Sequence, residues 1–144
     1  MTYPVMLSLT GKKCLVAGAG TIAERKTRRL LAEGADVSVV SPRTSGYFIR
    51  NRKIKLIKRK FKVADLKGKF LVIAATDDKN LNGRICGLAV KKNMLANSVS
   101  GRENTNFMNM VFVKKKGMVA AVSSNGKDIK KSLGIAEKIR KKIL

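Results

Sequence analysis

Gly18, Gly20 and Ala23 follow one another at the spacing Gly-x-Gly-x-x-Ala. Between a strand and a helix, that spacing builds a phosphate-binding turn. The first glycine permits the tight turn, and the second lets backbone approach a pyrophosphate. The small third residue lets the helix pack close to the strand. A helix starting there aims unpaired N–H groups and the positive end of its dipole at the phosphates. The chemistry indicated is dinucleotide binding, with NAD as the cofactor. An NAD site of this type usually has Asp or Glu at the end of the second strand, for the ribose hydroxyls. This chain has Ser41-Pro42-Arg43 there. Ser41 is a candidate hydrogen-bond partner for the ribose. Arg43 is suited to a 2′-phosphate, which leaves NADP open, or is simply a surface arginine. Thr76 and Asp77, with Asp78, fall where open α/β sheets collect ligands, beyond the carboxyl ends of the strands. One of the two aspartates is expected to cap the following helix, which leaves the other for the site. Metal chemistry has no basis in the spacing: the chain has two distant cysteines, Cys14 and Cys86, and no histidine. Both cysteines are expected to be buried small apolar residues.

The elements needed to hold this turn can be read on either side of it. Lys13–Ala17 is a short apolar run of the kind found in a buried parallel strand. The stretch from Thr21 to about Glu33 is helical in pattern, with Ala23, Thr27, Leu30 and Leu31 along one face. Thr21 and Glu24 have capping-box spacing, and Gly34 is placed to end the helix. Further strands are expected at 37–40, 54–57, 70–75 and 95–99, the one at 70–75 being central because it is apolar throughout. A helix is expected over 79–92. The fold class is therefore α/β, a Rossmann-type parallel sheet with right-handed crossovers. After Gly101 the pattern changes. Residues 110–113 and 118–122 read as a β-hairpin joined by the four residues Lys114–Gly117. A last helix over about 128–142 carries Ile129, Leu133, Ala136, Ile139 and Ile143 as one apolar stripe.

A chain of 144 residues with 44% hydrophobic content can bury a core without disulfides or metals. No apolar run approaches the length of a membrane span, and Met1-Thr2-Tyr3-Pro4 does not open like a secretion signal. A cytoplasmic location is the expectation. The net charge of +23 is spread along the chain and does not form a tail. Such a field attracts polyanions. No nucleic-acid motif accompanies it and aromatic content is 5%, so attraction to nucleic acid is expected to be non-specific only.

Several segments together resemble the precorrin-2 dehydrogenase family, including the amino-terminal part of siroheme synthase. They are Tyr3–Leu7, Gly11–Gly20, Ala23-Glu24-Arg25-Lys26, Leu30–Ala35, Leu71–Asp78 with Leu81-Asn82, and Val119–Gly126. The resemblance covers nearly the whole chain. It implies NAD-dependent oxidation of precorrin-2, a polycarboxylate tetrapyrrole, to sirohydrochlorin. It also implies a homodimer formed through the part that follows the Rossmann domain. The division implied is residues 1–103 for NAD binding and 104–144 for dimerisation. By position, Thr21 and Ile22 line the pyrophosphate side, and Pro42 and Arg43 flank the adenosine. Where the family usually has Asn-x-Val-Asp, this chain has Asn97-Ser98-Val99-Ser100. Ser100 thus stands where the family has its acid–base aspartate, with Glu103 close by in sequence, and these two are the candidate catalytic residues. Without that aspartate and without histidine, dehydrogenation is expected and ferrochelatase activity is not. The alternative is a non-catalytic carrier of cofactor and tetrapyrrole in the same pathway.

Overall fold

The short apolar runs become strands because nothing in them can face water. In the computed structural model, which describes residues 2–142, β1 (Lys13–Ala17) has Cys14, Leu15, Val16 and Ala17 fully buried. It is flanked on one side by β2 (Asp36–Val40) and on the other by β4 (Leu71–Ala74). With β3 (Ile54–Ile57) and β5 (Leu95–Ser98), the parallel sheet has the order β3-β2-β1-β4-β5. The chain leaves β1, builds β2 and β3 on one side, then crosses to β4 and β5 on the other. The strand order therefore reverses at β1, and the crevice at such a reversal is where open α/β sheets bind ligands. β1 holds the middle of the sheet; β4, expected there, lies next to it.

Alternate side chains of each strand serve two apolar layers, as the two-residue period requires. Cys14, Val16, Val37, Val39, Leu71 and Ile73 pack with Ala23 and Leu30 of α1 (Thr21–Ala32) and with Phe48 of the short α2 (Gly46–Arg50). Leu15, Ala17, Val40, Val72 and Ala74 pack with Ile85, Cys86 and Ala89 of α3 (Lys79–Lys91) and with Leu66 of a single 3₁₀ turn. Burial pushes both thiols, Cys14 and Cys86, up to about 11, so they pack as apolar groups. Gly34 closes α1 as read from the sequence. At φ +78° it lets its own N–H reach the Leu31 carbonyl and that of Ala35 reach Leu30, a Schellman ending. Neither α2 nor the 3₁₀ turn has a sequence signal, since one turn is too short to show a period.

The contacts of the chain divide it into two units, residues 6–107 and residues 2–5 with 108–142. Residues 104–107 belong to the first. Asn106 accepts a hydrogen bond from the Ala96 N–H and donates one to the Met94 carbonyl, beside β5. In the second unit β6 (Val111–Lys115) pairs antiparallel with β7 (Met118–Val122). The connection has two residues and not four. Lys116 at φ +49° and Gly117 at φ +79° supply the two left-handed residues of a tight turn, so Lys114 and Lys115 remain in the ladder opposite Val119 and Met118. α4 (Ile129–Lys142) starts after Asp128, whose carboxylate accepts from the Lys131 N–H at 2.8 Å. Its buried positions are Ser132 and Ala136, while Ile129 and Leu133 are 64% and 53% exposed. The expected stripe is therefore split: Ala136 is buried beside Ser132, Ile139 is half-buried, and Ile129 and Leu133 are exposed. Ile143, its last member, lies outside the described residues.

Candidate functional site: a dinucleotide cleft at the carboxyl edge of the sheet

Gly18 ends β1 with φ +106°, and a Cβ there would run into the carbonyl of Ala75. Only glycine fits, and its absent side chain lets the turn lie against the end of β4. Gly20 is different. Its φ of −82° suits any residue, and a Cβ built on it meets nothing within 4 Å. The space above Gly20 is open, and it faces the start of α1. No side chain caps that helix start. The capping box expected from Thr21 and Glu24 does not form. Gly20 holds the cap position, Thr21 is already helical, and Glu24 turns along the helix to pair with Arg28 at 2.7 Å. The amides of Thr21, Ile22 and Ala23 therefore keep the free donors that a helix start has when uncapped. Open space over Gly20 beside uncapped donors fits a pyrophosphate. The side chain of Ala23 is buried in the core, so its part here is the amide.

Gly18, Gly20, Ser41, Pro42, Arg43, Thr76 and Asp77 all line one cleft of about 660 Å³. The tips of β1, β2 and β4 bring them together. Ser41 is buried, and its hydroxyl donates to the Arg43 carbonyl at 2.5 Å, so it shapes the loop. Asp78 is the helix-capping aspartate: its carboxylate accepts from the N–H groups of Asn80 and Leu81. That frees Asp77 from capping. Two lining residues have no sequence signal, Lys60 and Phe61. They follow β3, and the pairing of β3 with β2 carries them to the tip of β2.

A second arrangement lies at the ends of β4 and β5. Asn82 of α3 is fully buried. Its Oδ1 accepts from the Thr76 N–H at 3.0 Å and from the Thr76 hydroxyl at 2.7 Å. Its Nδ2 donates to the Thr76 carbonyl at 3.0 Å and to Ser100 Oγ at 2.9 Å. One amide thus spends four hydrogen bonds on fixing the Thr76 backbone and the Ser100 hydroxyl. Ser98 Oγ stands 3.2 Å from Ser100 Oγ. Asn82 falls in one of the family-like segments, yet nothing in the sequence marks this part for it; a buried Asn has no periodic signature. Ser100 is half-buried and Glu103 exposed, and neither is among the residues lining the cleft.

Comparison with known proteins places this geometry. A family model described as "Putative NAD(P)-binding" matches residues 5–110. The chain is 34% identical over 143 residues to the precorrin-2 dehydrogenase of Bacillus subtilis, covering 97% of this chain and 88% of that protein. It is 35% identical over 127 residues to the siroheme synthase of Photobacterium profundum, covering 86% of this chain and 27% of that protein. The chain thus spans about a quarter of the length of the siroheme synthases it matches. Among solved structures it resembles "SirC, precorrin-2 dehydrogenase" with a TM-score of 0.84 and 28% identity, covering 97% of this chain and 70% of that one. A cleft with the donors and the open space of a dinucleotide site, on a chain alike to these proteins along nearly all its length, is that of a member of the precorrin-2 dehydrogenase family.

Proposed function

We propose that this protein oxidises precorrin-2 to sirohydrochlorin with NAD in siroheme synthesis, and that it does not insert iron. The observation that carries the reading is the uncapped start of α1 over open space at Gly20. Gly18 and Gly20 shape the turn, and the amides of Thr21, Ile22 and Ala23 hold the pyrophosphate. Ser41, Pro42 and Arg43 flank the adenosine, and Thr76 and Asp77 border the nicotinamide side. When bound, NAD supplies the acceptor for a hydride. The protein's work is positioning, which can supply much of the rate. Asn82 holds Thr76 and Ser100 still. A serine hydroxyl is no base at neutral pH, so the proton that leaves with the hydride passes to water or to a substrate carboxylate. Of the two candidates read from the sequence, Ser100 orients that path, and Glu103 receives no role in it. The surplus of lysine and arginine draws in a polycarboxylate substrate. The absence of histidine, with Ser100 where the family has its aspartate, favours the reading without chelatase activity.

The functional division is NAD binding by residues 1–103 and homodimer formation by 104–144. Met118, Val119, Ile129 and Leu133 are exposed on the second unit at 45–64%, and a second copy of the chain covers them. No helix among the described residues is long and apolar enough to cross a membrane. Two free buried thiols suit the reducing cytoplasm, where we place the protein.

The replacement of aspartate by Ser100 favours one rival, a non-catalytic carrier of cofactor and tetrapyrrole. Anaerobic incubation with precorrin-2, with and without NAD, separates the two. The dehydrogenase forms sirohydrochlorin only with NAD; the carrier binds both ligands and forms none. Adding ferrous iron to sirohydrochlorin with the protein present should not speed siroheme formation above the protein-free rate.

A further inference from the structure

Two hydroxyls at the end of β5, those of Ser98 and Ser100, are one acceptor short. Asn82 Oδ1 accepts from the Thr76 N–H and hydroxyl, and its Nδ2 donates to the Thr76 carbonyl. Two backbone partners thus fix which way the amide is turned, and its remaining N–H donates to Ser100 Oγ at 2.9 Å. Ser98 Oγ in turn accepts from the Ser100 N–H at 3.2 Å, and the two hydroxyl oxygens stand 3.2 Å apart. One O–H closes that pair. Whichever serine gives it, the receiving oxygen then accepts two bonds and is filled. The receiver's own O–H is left without an acceptor among the described residues. Both serines are half-buried, so that O–H opens toward the surface. A cation stands over the same corner. Lys79 opens α3, and its Cε lies 3.7 Å from where a Cβ on Gly101 would be, so its side chain runs over the residue next to Ser100. Lys79 is exposed and in no ion pair among the described residues. The acid beside it in sequence, Asp78, caps α3.

We propose that Ser98, Ser100 and Lys79 form a carboxylate-binding subsite at the ends of β4 and β5, which holds one carboxylate of the tetrapyrrole. The inference rests on the reading of the protein as a precorrin-2 dehydrogenase and adds to it residues that seat the substrate. The left-over O–H needs an acceptor. A carboxylate supplies one, and the neighbouring ammonium favours its charge; hydrogen bonds of this charge-assisted kind are short and strong. Asn82 ties the position of the subsite to Thr76, which lines the dinucleotide cleft, so a carboxylate held here lies beside the nicotinamide side. Ser100 acts on the substrate as a donor and not as a base.

The test is anaerobic titration of the full chain with sirohydrochlorin, the polycarboxylate product, read by absorbance, with NADH titrated in parallel. Lys79→Met, at an exposed position, should bind sirohydrochlorin about tenfold more weakly, with less dependence on salt and with NADH affinity kept. Ser100→Ala should lose a similar factor, and Ser100→Thr, which keeps the hydroxyl, should regain most of it. Thermal midpoints show that the variants are folded; should Ser100→Ala fail to fold, Lys79→Met decides alone. Lys92→Met, at the other end of α3, should bind as the unaltered protein does. Sirohydrochlorin affinity unchanged in Lys79→Met or in folded Ser100→Ala overturns the inference, as does an equal loss in Lys92→Met. NAD-dependent turnover by the unaltered protein leaves the dehydrogenase reading in place in those cases. An unaltered protein that neither binds sirohydrochlorin nor oxidises precorrin-2 overturns both together.

Discussion

In residues 6–107 the sheet is covered on both faces, and β1, β2 and β4 each bury four residues in a row. In residues 2–5 and 108–142 the buried residues are Val113, Ser132 and Ala136, while Met118, Val119, Ile129, Leu133 and Ile135 are exposed. The two regions draw on the same residue types and use them in opposite ways. The first spends its apolar residues on a core of its own and can hold a cleft rigid at its edge. The second leaves them on its surface, where they add little to its own core. Local order therefore separates: the cleft is built by one unit, and the other leaves its large apolar side chains at the surface.

That contrast can be broken most directly by removing the same kind of group from each side. Ile73→Ala, in the fully buried β4, should cost about 3–4 kcal/mol of folding stability, through lost transfer energy and a cavity. Val113→Ala, in the hairpin, should cost about 1 kcal/mol, because one small side chain is shortened in a thin layer. Denaturant titration of both variants checks this, and equal losses would erase the distinction.

Gly20→Val sharpens the comparison within the first unit. Gly20 lies in ordinary backbone and its Cβ position is open, so the thermal midpoint should hold. NADH affinity should fall by about 100-fold, since the new side chain occupies the space for the pyrophosphate. A Gly18→Ala chain should instead fail to fold stably, because its Cβ meets the Ala75 carbonyl.

Leu133→Glu tests the second unit. Its side chain is 53% exposed, so folding should be little changed, while, if a second copy covers this face as proposed, a charge in it should shift dimer to monomer by about tenfold or more in Kd. Analytical ultracentrifugation reads this out, and NADH affinity should stay as it was.

The smallest expected effect concerns Lys26 on α1, which burial and the nearby Arg29 and Arg25 pull down to about 8. The folded state thus binds the Lys26 proton less tightly than the unfolded state does, and stability rises with pH between about 8 and the ordinary lysine value near 10.4. Lys26→Met should raise the melting temperature by about 2–4 °C at pH 7, with the gain shrinking as pH climbs through that window. A constant gain across the range would contradict the assignment.

Much of the first unit can be read from local pattern, because its determinants are local. A buried strand must be apolar, and Gly34 must follow a helix that ends in a Schellman turn. The glycine turn is legible for the same reason. What escapes is set by contacts distant in sequence. Lys60 and Phe61 join the cleft only because β3 pairs with β2. Asn82 reaches Ser100 across 18 residues. Thr21 offers a capping hydroxyl, but Gly20 already holds the cap position. The second unit is less legible. An apolar stripe does not say which side will be covered: it groups Ile129 and Leu133 with Ala136, whereas Ala136 is buried beside Ser132 and the other two are exposed. The run of lysines hides a two-residue turn.

As proposed, the cleft passes a hydride from precorrin-2 to NAD. Single-turnover reaction under anaerobic conditions, with enzyme in excess over precorrin-2, tests it most directly by counting NADH against sirohydrochlorin. Equal amounts of both are expected, formed at the same rate and both abolished by Gly20→Val. Sirohydrochlorin appearing without NADH, or neither product appearing while both ligands bind, would contradict it.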